Sequence, residues 1–300
     1  MIPILTTDEV RAAERAVMTT LPPGTLMERA ASAIAVECFG IFRQHGGIVG
    51  RQVLLLVGAG DNGGDALFAG VRLLQRGVTV YALPLGTGMH AAGSAALFRA
   101  GGRFLDVVQA LERFADLDLV IDGIVGLGSS RSLDGDAALI ARALDDAEIF
   151  TLAIDVPSGV HTDTGAIPGV AIGADVTVTF GALRPAHVIA PAAVHCGEVL
   201  LADIGVEMES ANAAITDPGA WFAPPPADAD KYSRGVVGIV TGSAQYPGAA
   251  LLSVASALHS GCGMGRCYGP HEELVVQAYP EVVPAPRSAI DTAHQIGRAH

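Results

Sequence analysis

The chain has little that is basic, aromatic or sulfur-bearing, and each shortage closes off a class of function. Lysine and arginine number 18 against 31 acidic residues, a formal charge of −13, and they are scattered along the sequence. No basic surface is therefore offered to nucleic acid or to an anionic membrane, and any phosphate must be held mainly by backbone groups. Cys38, Cys196, Cys262 and Cys267 form neither a CxxC pair nor a zinc spacing with histidine, and a reducing cytosol is the expected compartment. Nowhere do about 18 apolar residues run without a charge or a breaker. The opening MIPILTTDEVRAAERA lacks a basic leader and a long apolar core. The expectations are no secretion signal, no membrane span and a cytoplasmic location. Aromatic residues make up 5% with a single tryptophan, whereas hydrophobic residues make up 50%. That composition suits α/β layers with close helix packing, and a length of 300 residues favours two domains.

What is present is organised around residues 52–70, QVLLLVGAGDNGGDALFAG. Val53 to Val57 read as a strand buried on both faces, and the glycine cluster leads into helical spacing, so the unit is strand, tight turn, helix. Gly58, Gly60, Gly63 and Gly64 are expected to supply positive φ and close backbone approach, with the N–H groups of the helix start forming an anion cradle. The glycines also spell GxGxxG, but the acid that should hold a ribose hydroxyl about 20 residues on is missing. No Asp or Glu occurs between Asp65 and Asp106. Asp61 and Asp65 inside a phosphate turn would repel the phosphate unless a cation or a proton intervenes. The run therefore points to a site that does chemistry or holds a metal beside a nucleotide, although capping and turn formation also account for Asp61.

Helices are predicted from Thr7 and over 25–44, and strands over 78–85, 117–121, 149–154, 176–180 and 198–201, with helices between most of them. This alternation predicts a mostly parallel sheet covered on both faces, a three-layer α/β/α Rossmann-like domain. Asp122 and Asp155 each end a strand, which puts both on the rim of the DNGGD turn, where ligands of such folds bind. From its own segment Arg184 reads as a solvated side chain, and His187 and His195, which make no ligand spacing, as ordinary polar positions. A Pro-, Ala- and Asp-rich run over 216–230 reads as a linker. Beyond it a strand over 236–241, a turn at Gly242 and a helix over about 249–260 begin a second unit, too short for a complete α/β domain.

Four motifs in order, GAGDNGGDA, IDGIVGLGSSR, DVPSGVHTDTG and TVTFGALRP, resemble those of the YjeF N-terminal family, the NAD(P)H-hydrate epimerases. From Lys231, KYSRGVVGIVTGSAQYPGAALLSVASALHSGCGMG is similar to the opening of the ribokinase-like, ADP- or ATP-dependent NAD(P)H-hydrate dehydratases. Together the two resemble the bifunctional NAD(P)H-hydrate repair enzymes. The resemblance implies an epimerase domain over 1–215, a linker over 216–230 and an incomplete ribokinase-like α/β domain over 231–300. It implies repair of NADHX and NADPHX, formed when the reduced cofactor gains water across its nicotinamide ring: the epimerase interconverts the R and S hydrates, and the dehydratase removes water from the S form using ADP or ATP.

By the same resemblance, Asn62, Asp122 and Ser158 would hold a potassium ion, their neutral oxygens and single carboxylate suiting a hard, weakly charged cation. Substrate contacts are implied at Asp61, Asn62, Gly63, Gly64 and Asp65, then at Gly126, Leu127, Gly128, Ser129, Ser130, Arg131 and Ser132, at Asp155, and at Ala249 in the second unit. Asp155 and Arg184 are the implied catalytic groups, and a homodimer through the first domain the implied assembly. The chain departs from the family at Asp61 for Asn, Ala66 for Gly and Arg184 for Lys. Arginine keeps the charge but carries protons poorly. The dehydratase nucleotide loop and its catalytic Asp would follow residue 300, so no dehydratase activity is expected of this chain. The closing IGRAH matches one frame of a common sequencing adapter and is expected to mark a broken gene end. Two other readings compete: a non-catalytic nucleotide-binding or interaction module of the same fold, and an NAD-linked dehydrogenase. Retention of Asn62, Asp122, Asp155 and Ser158 speaks against the first, acidic charge against an RNA-bound version of it, and the missing ribose acid against the second.

Overall fold

In the computed structural model, which describes residues 2–208, 213–216 and 224–285, β2 (Gln52–Val57) lies at the centre of a parallel sheet. Residues 217–223 of the expected linker and the closing SAIDTAHQIGRAH lie outside the described residues. The chain divides into two units, Met1–Ile215 and Thr216–His300.

The first unit runs β1 (Ile2–Ile4), α1 (Thr7–Met18), α2 (Thr25–Gln44), β2, α3 (Asp61–Leu74), β3 (Thr79–Pro84), α4 (Ala91–Arg99), β4 (Arg103–Phe104), α5 (Val107–Leu111), β5 (Leu119–Gly123), α6 (Gly135–Ala147), β6 (Thr151–Ile154), β7 (Val176–Phe180), α7 (Ala192–His195), β8 (Glu198–Ala202) and β9 (Ala213–Ile215). Seven strands form one sheet in the order β4-β3-β2-β5-β6-β7-β8, every neighbouring pair parallel. Side chains alternate across a strand, so the apolar run of β2 feeds both faces. Val53, Leu55 and Val57 meet Ile34 and Phe42 of α2 and Leu67 of α3, while Leu54 and Leu56 meet Tyr81, Ile140 and Leu144 on the other side. The long N-terminal helix is thus a covering layer of the sheet. β1, β4 and β9 were not legible in the sequence. β1 pairs antiparallel with β9, a contact across most of the unit's length that no local pattern encodes.

The chain leaves β2 toward β3 and β4 on one side and returns through β5 to the other. The strand order therefore reverses between β2 and β5, and the carboxyl ends at such a point are the place where open α/β sheets bind ligands.

The second unit, taken by itself, has β10 (Val236–Ile239), α8 (Gly248–His259), β11 (Met264–Cys267), α9 (Glu272–Ala278) and β12 (Val283–Pro284), with the three strands parallel in the order β10-β11-β12. Ile239, Ala250, Val254, Cys267 and Val275 fill its core, and Gly242 turns the chain with φ 84°. No described helix of either unit is long and apolar enough to cross a membrane.

Candidate functional site

α3 starts at Asp61, directly behind Gly60, so DNGGD forms the first turn of a helix and not a loop. Gly60 precedes it in extended backbone without a side-chain cap, which leaves the N–H groups of Asp61, Asn62 and Gly63 outside the helical ladder. The expected positive φ is absent at Gly58, Gly60, Gly63 and Gly64. Gly58 and Gly63 are required by contact with backbone instead, whereas Gly64 meets only the movable end of a side chain. A Cβ on Gly58 would overlap the Ile124 carbonyl oxygen, one on Gly63 would overlap the Gly58 carbonyl oxygen, and one on Gly64 would sit 2.7 Å from Met27 Cε. The turn is pressed between α3 and the chain leaving β5. Ala66 fits because position 123 is glycine: a Cβ there would lie 2.8 Å from that of Ala66.

Asp122 is fully buried at the end of β5. Its carboxylate accepts from Ser158 N–H at 2.7 Å, from Ser158 Oγ at 2.7 Å and from Ile124 N–H at 3.2 Å. Ser158 Oγ in turn accepts from Val125 N–H at 3.0 Å. Asn62 Nδ2 donates to the Ile154 carbonyl at 2.8 Å, and a Cβ on Gly126 would overlap the Asn62 amide. The structure thus brings Asn62, Asp122 and Ser158 around the chain segment 124–126. Amide, hydroxyl and carboxylate oxygens make a donor set that fits a hard monovalent cation. Among the described residues no group of three or more His, Cys, Asp or Glu could hold a metal ion. Burial pushes the Asp122 carboxyl up to about 6, against the hydrogen bonds from Ser158 and Ile124 that lower it.

Asp155 follows β6 with φ 65°, an uncommon backbone for a residue with a side chain, and is 2% exposed. Its N–H donates to the Val178 carbonyl at 2.8 Å. Oδ1 accepts from Thr179 Oγ1 at 3.0 Å and pairs with Arg184 Nη2 at 3.1 Å. Oδ2 is buried without a hydrogen-bond partner among the described residues. Arg184 is not solvated, as its own segment led one to expect, but 0% exposed. The turn after β7 folds it inward, where Nη1 donates to the Ala182 carbonyl at 2.8 Å and Nη2 to that of Phe180 at 3.4 Å. The pair is only partly satisfied, since Arg184 Nε, like Asp155 Oδ2, is buried without a partner among the described residues.

Residues 126–132 form the neighbouring loop. It is closed by Ser129 N–H on the Gly126 carbonyl at 2.8 Å and tied to the next segment by Thr162 N–H on the Ser129 carbonyl at 3.0 Å. Gly128, Ser130 and Arg131 are exposed, Ser129 is buried, and Leu127 and Ser132 are half-buried. The loop borders a cleft of about 590 Å³ lined by residues 84–86 and 128–137, within the range of small-molecule sites. Ala249 lies apart in the second unit, half-buried in the first turn of α8.

Two residues of α1 and one histidine enter the site without any signal in the sequence. Leu5 N–H donates to the Leu183 carbonyl and Leu183 N–H to that of Pro3, both at 2.9 Å, and Thr7 N–H donates to Asp163 Oδ1 at 2.7 Å. These long-range bonds lay α1 over the site. Arg11 Nη2 would be 3.4 Å from a Cβ on Gly128. Glu14 is raised above the usual carboxyl range by burial and then by the charge of Asp155. His187, expected to be an ordinary polar position, is buried between Asp155 and Arg184.

Asp61 is exposed at the helix start, where negative charge is favourable. Asp65 is buried, and burial first, then Asp61, Asp155 and Glu14, push it well above the usual range, which favours the uncharged acid. A raised native value means that the folded state loses stability as pH rises through it. Asp65→Asn, which mimics the protonated form, is therefore expected to match wild type at acid pH and to melt above it at alkaline pH. Melting curves across pH check this; a gap that shrinks as pH rises would contradict it.

The chain matches the family described as YjeF-related protein N-terminus over residues 23–186. It is 42% identical over 288 residues to the "Bifunctional NAD(P)H-hydrate repair enzyme Nnr" of Mycobacterium tuberculosis, with 94% of this chain and 59% of that protein covered. It is 41% identical over 217 residues to the "NAD(P)H-hydrate epimerase" of Microbacterium testaceum, with 70% and 82% covered. The crystal structure of yeast ynu0 superposes with a TM-score of 0.58 at 18% identity, covering 70% of this chain and 96% of the yeast chain, and shares the fold.

Proposed function

The chain belongs to the family of YjeF-related protein N-termini, and from that membership we propose that its first unit interconverts the R and S hydrates of NADH and NADPH. The observation that carries the reading is Asp155 Oδ2, a buried acceptor with no partner among the described residues, on a carboxylate whose other oxygen is fixed by Thr179 and Arg184. Adding water across the ring leaves a hydroxyl on a carbon beside the ring nitrogen. Inverting that carbon requires the C–O bond to break and to re-form on the opposite face, one proton joining the departing hydroxyl and one leaving the incoming water. Asp155 supplies or takes the proton on the ring face that Oδ2 meets, and solvent water exchanges the proton on the opposite face. Arg184 holds Oδ1 and places a fixed positive charge at the reacting ring, a role that asks for no proton and so tolerates arginine in place of lysine. The N–H groups at the start of α3 and those of the exposed Gly128, Ser130 and Arg131 hold the pyrophosphate.

Asn62, Asp122 and Ser158 would hold potassium, which when bound offsets the charge of Asp122 and of the phosphates. Because burial raises Asp122 to about 6, ionisation costs stability as pH rises through that value, and a cation restores it. Potassium at about one hundred times its Kd, against a bulky organic cation, is expected to raise Tm by on the order of 5 °C at pH 8 and by clearly less at pH 5. The effect should vanish in Asp122→Asn; equal shifts at both pH values would contradict the site.

The chain spans 59% of the length of the mycobacterial relative. The second unit is read as the opening of a dehydratase domain. Chromatography that separates the hydrates tests the main reading. R-NADHX should convert to S well above its spontaneous rate. Binding without acceleration would favour the non-catalytic module.

A further inference from the structure

His187 is 7% exposed and touches the backbone of both residues assigned to the chemistry. Its Nδ1 accepts from Arg184 N–H at 3.0 Å, and its Nε2 lies 2.7 Å from the Asp155 carbonyl oxygen. An Nδ1 that accepts carries no proton. Nε2 is then the protonated nitrogen and donates to Asp155. Burial favours this neutral ring, whose two nitrogens are both satisfied in one tautomer only.

Asp155 needs such support. It sits in left-handed backbone, which a side-chain-bearing residue holds only where its surroundings impose it. Its N–H is fixed by the Val178 carbonyl and its Oδ1 by Thr179 and Arg184, so the Asp155 carbonyl is the remaining handle on its backbone. The turn that presents His187 is itself tied down, Ala186 N–H donating to the Thr162 carbonyl at 2.9 Å.

We propose that His187 is a positioning residue that joins the Asp155 carbonyl to the Arg184 amide, so that Oδ1 stays on the guanidinium while Oδ2 faces the substrate. The inference rests on the epimerase reading for its kinetic consequence, but the joint itself is testable without activity. Glutamine can reach the Asp155 carbonyl with its amide donor but cannot accept from Arg184, asparagine can offer its oxygen to the Arg184 amide but cannot reach Asp155, and leucine does neither.

In His187→Leu, kcat is expected to fall by about 10- to 100-fold with KM within about threefold, because misplacement of a reacting group costs rate more than binding. His187→Gln and His187→Asn should each recover part of the loss, and they serve as the test if the leucine variant does not fold. Amide hydrogen exchange at Arg184 is expected to be about tenfold faster in His187→Gln than in wild type and to stay slow in His187→Asn. Folded Gln and Asn variants with wild-type kcat, or a change in KM alone, would overturn the positioning role, as would equal exchange at Arg184 in wild type and His187→Gln. A wild-type protein that does not epimerise would instead overturn the proposed function, and the exchange rates would still decide the joint.

Discussion

Asp155→Asn is expected to lower R-to-S interconversion by about a thousandfold, the middle of the range for one general acid–base group, while the hydrate binds within a few-fold of wild type. Asparagine is the informative replacement. Asp155 has φ 65°, and asparagine is among the few residues that tolerate that backbone, so the fold around Thr179 and Arg184 is kept. It can still accept from Thr179 at one atom, but it can neither give nor take a proton at the other. Alanine would add backbone strain and an unpaired buried guanidinium to the loss of chemistry, and its effect could not be apportioned. Initial rates by hydrate-resolving chromatography, with binding measured in parallel, check the expectation. Retention of more than a tenth of the wild-type rate would remove Asp155 from the proton route.

Gly63→Ala is expected to destabilise the first unit by about 3 kcal/mol or more, at the upper end of the cost of overpacking a rigid site. Its Cβ would overlap the Gly58 carbonyl oxygen and lie 2.9 Å from the Gly58 carbonyl carbon. Both atoms are backbone, so relief requires α3 to move away from the end of β2, which would also displace Asn62 and the free N–H groups of the first turn. Gly40→Ala supplies the contrast. Gly40 lies inside α2 with nothing within 4 Å of a Cβ there, and alanine is expected to stabilise by about 1 kcal/mol through helix propensity alone. Thermal or urea unfolding of the two variants, with opposite signs, checks that the glycines of the turn serve close approach. Equal, small effects would show that the turn can relax.

That contrast marks how far the sequence could be read. The five apolar residues from Val53 and the acids at 122 and 155 are local signals, and they place the central strand and the rim of the site, because burial and strand ends follow from short-range pattern. The strand over 176–180 is found at its expected bounds. A glycine's reason is not written in its residue type: GAGDNGGD is compatible with positive φ or with contact, and only the folded positions of the Gly58 and Ile124 carbonyls decide. Arg184 reads as solvated because TVTFGALRPAH gives no hint that Ala182 and Phe180 turn their carbonyls toward it. His187 contacts Asp155 from 32 residues away, and α1 reaches the site through Leu183, so Arg11, Glu14 and His187 could not be assigned before the chain was folded.

A crystal of the wild-type chain soaked with NADHX tests the central claim most directly. The hydroxyl on the nicotinamide ring should lie within about 2.6–3.2 Å of Asp155 Oδ2, with the pyrophosphate on the N–H groups of the α3 start and of Gly128, Ser130 and Arg131. A nucleotide bound with its ring away from Asp155, leaving Oδ2 still without a partner, would contradict the account.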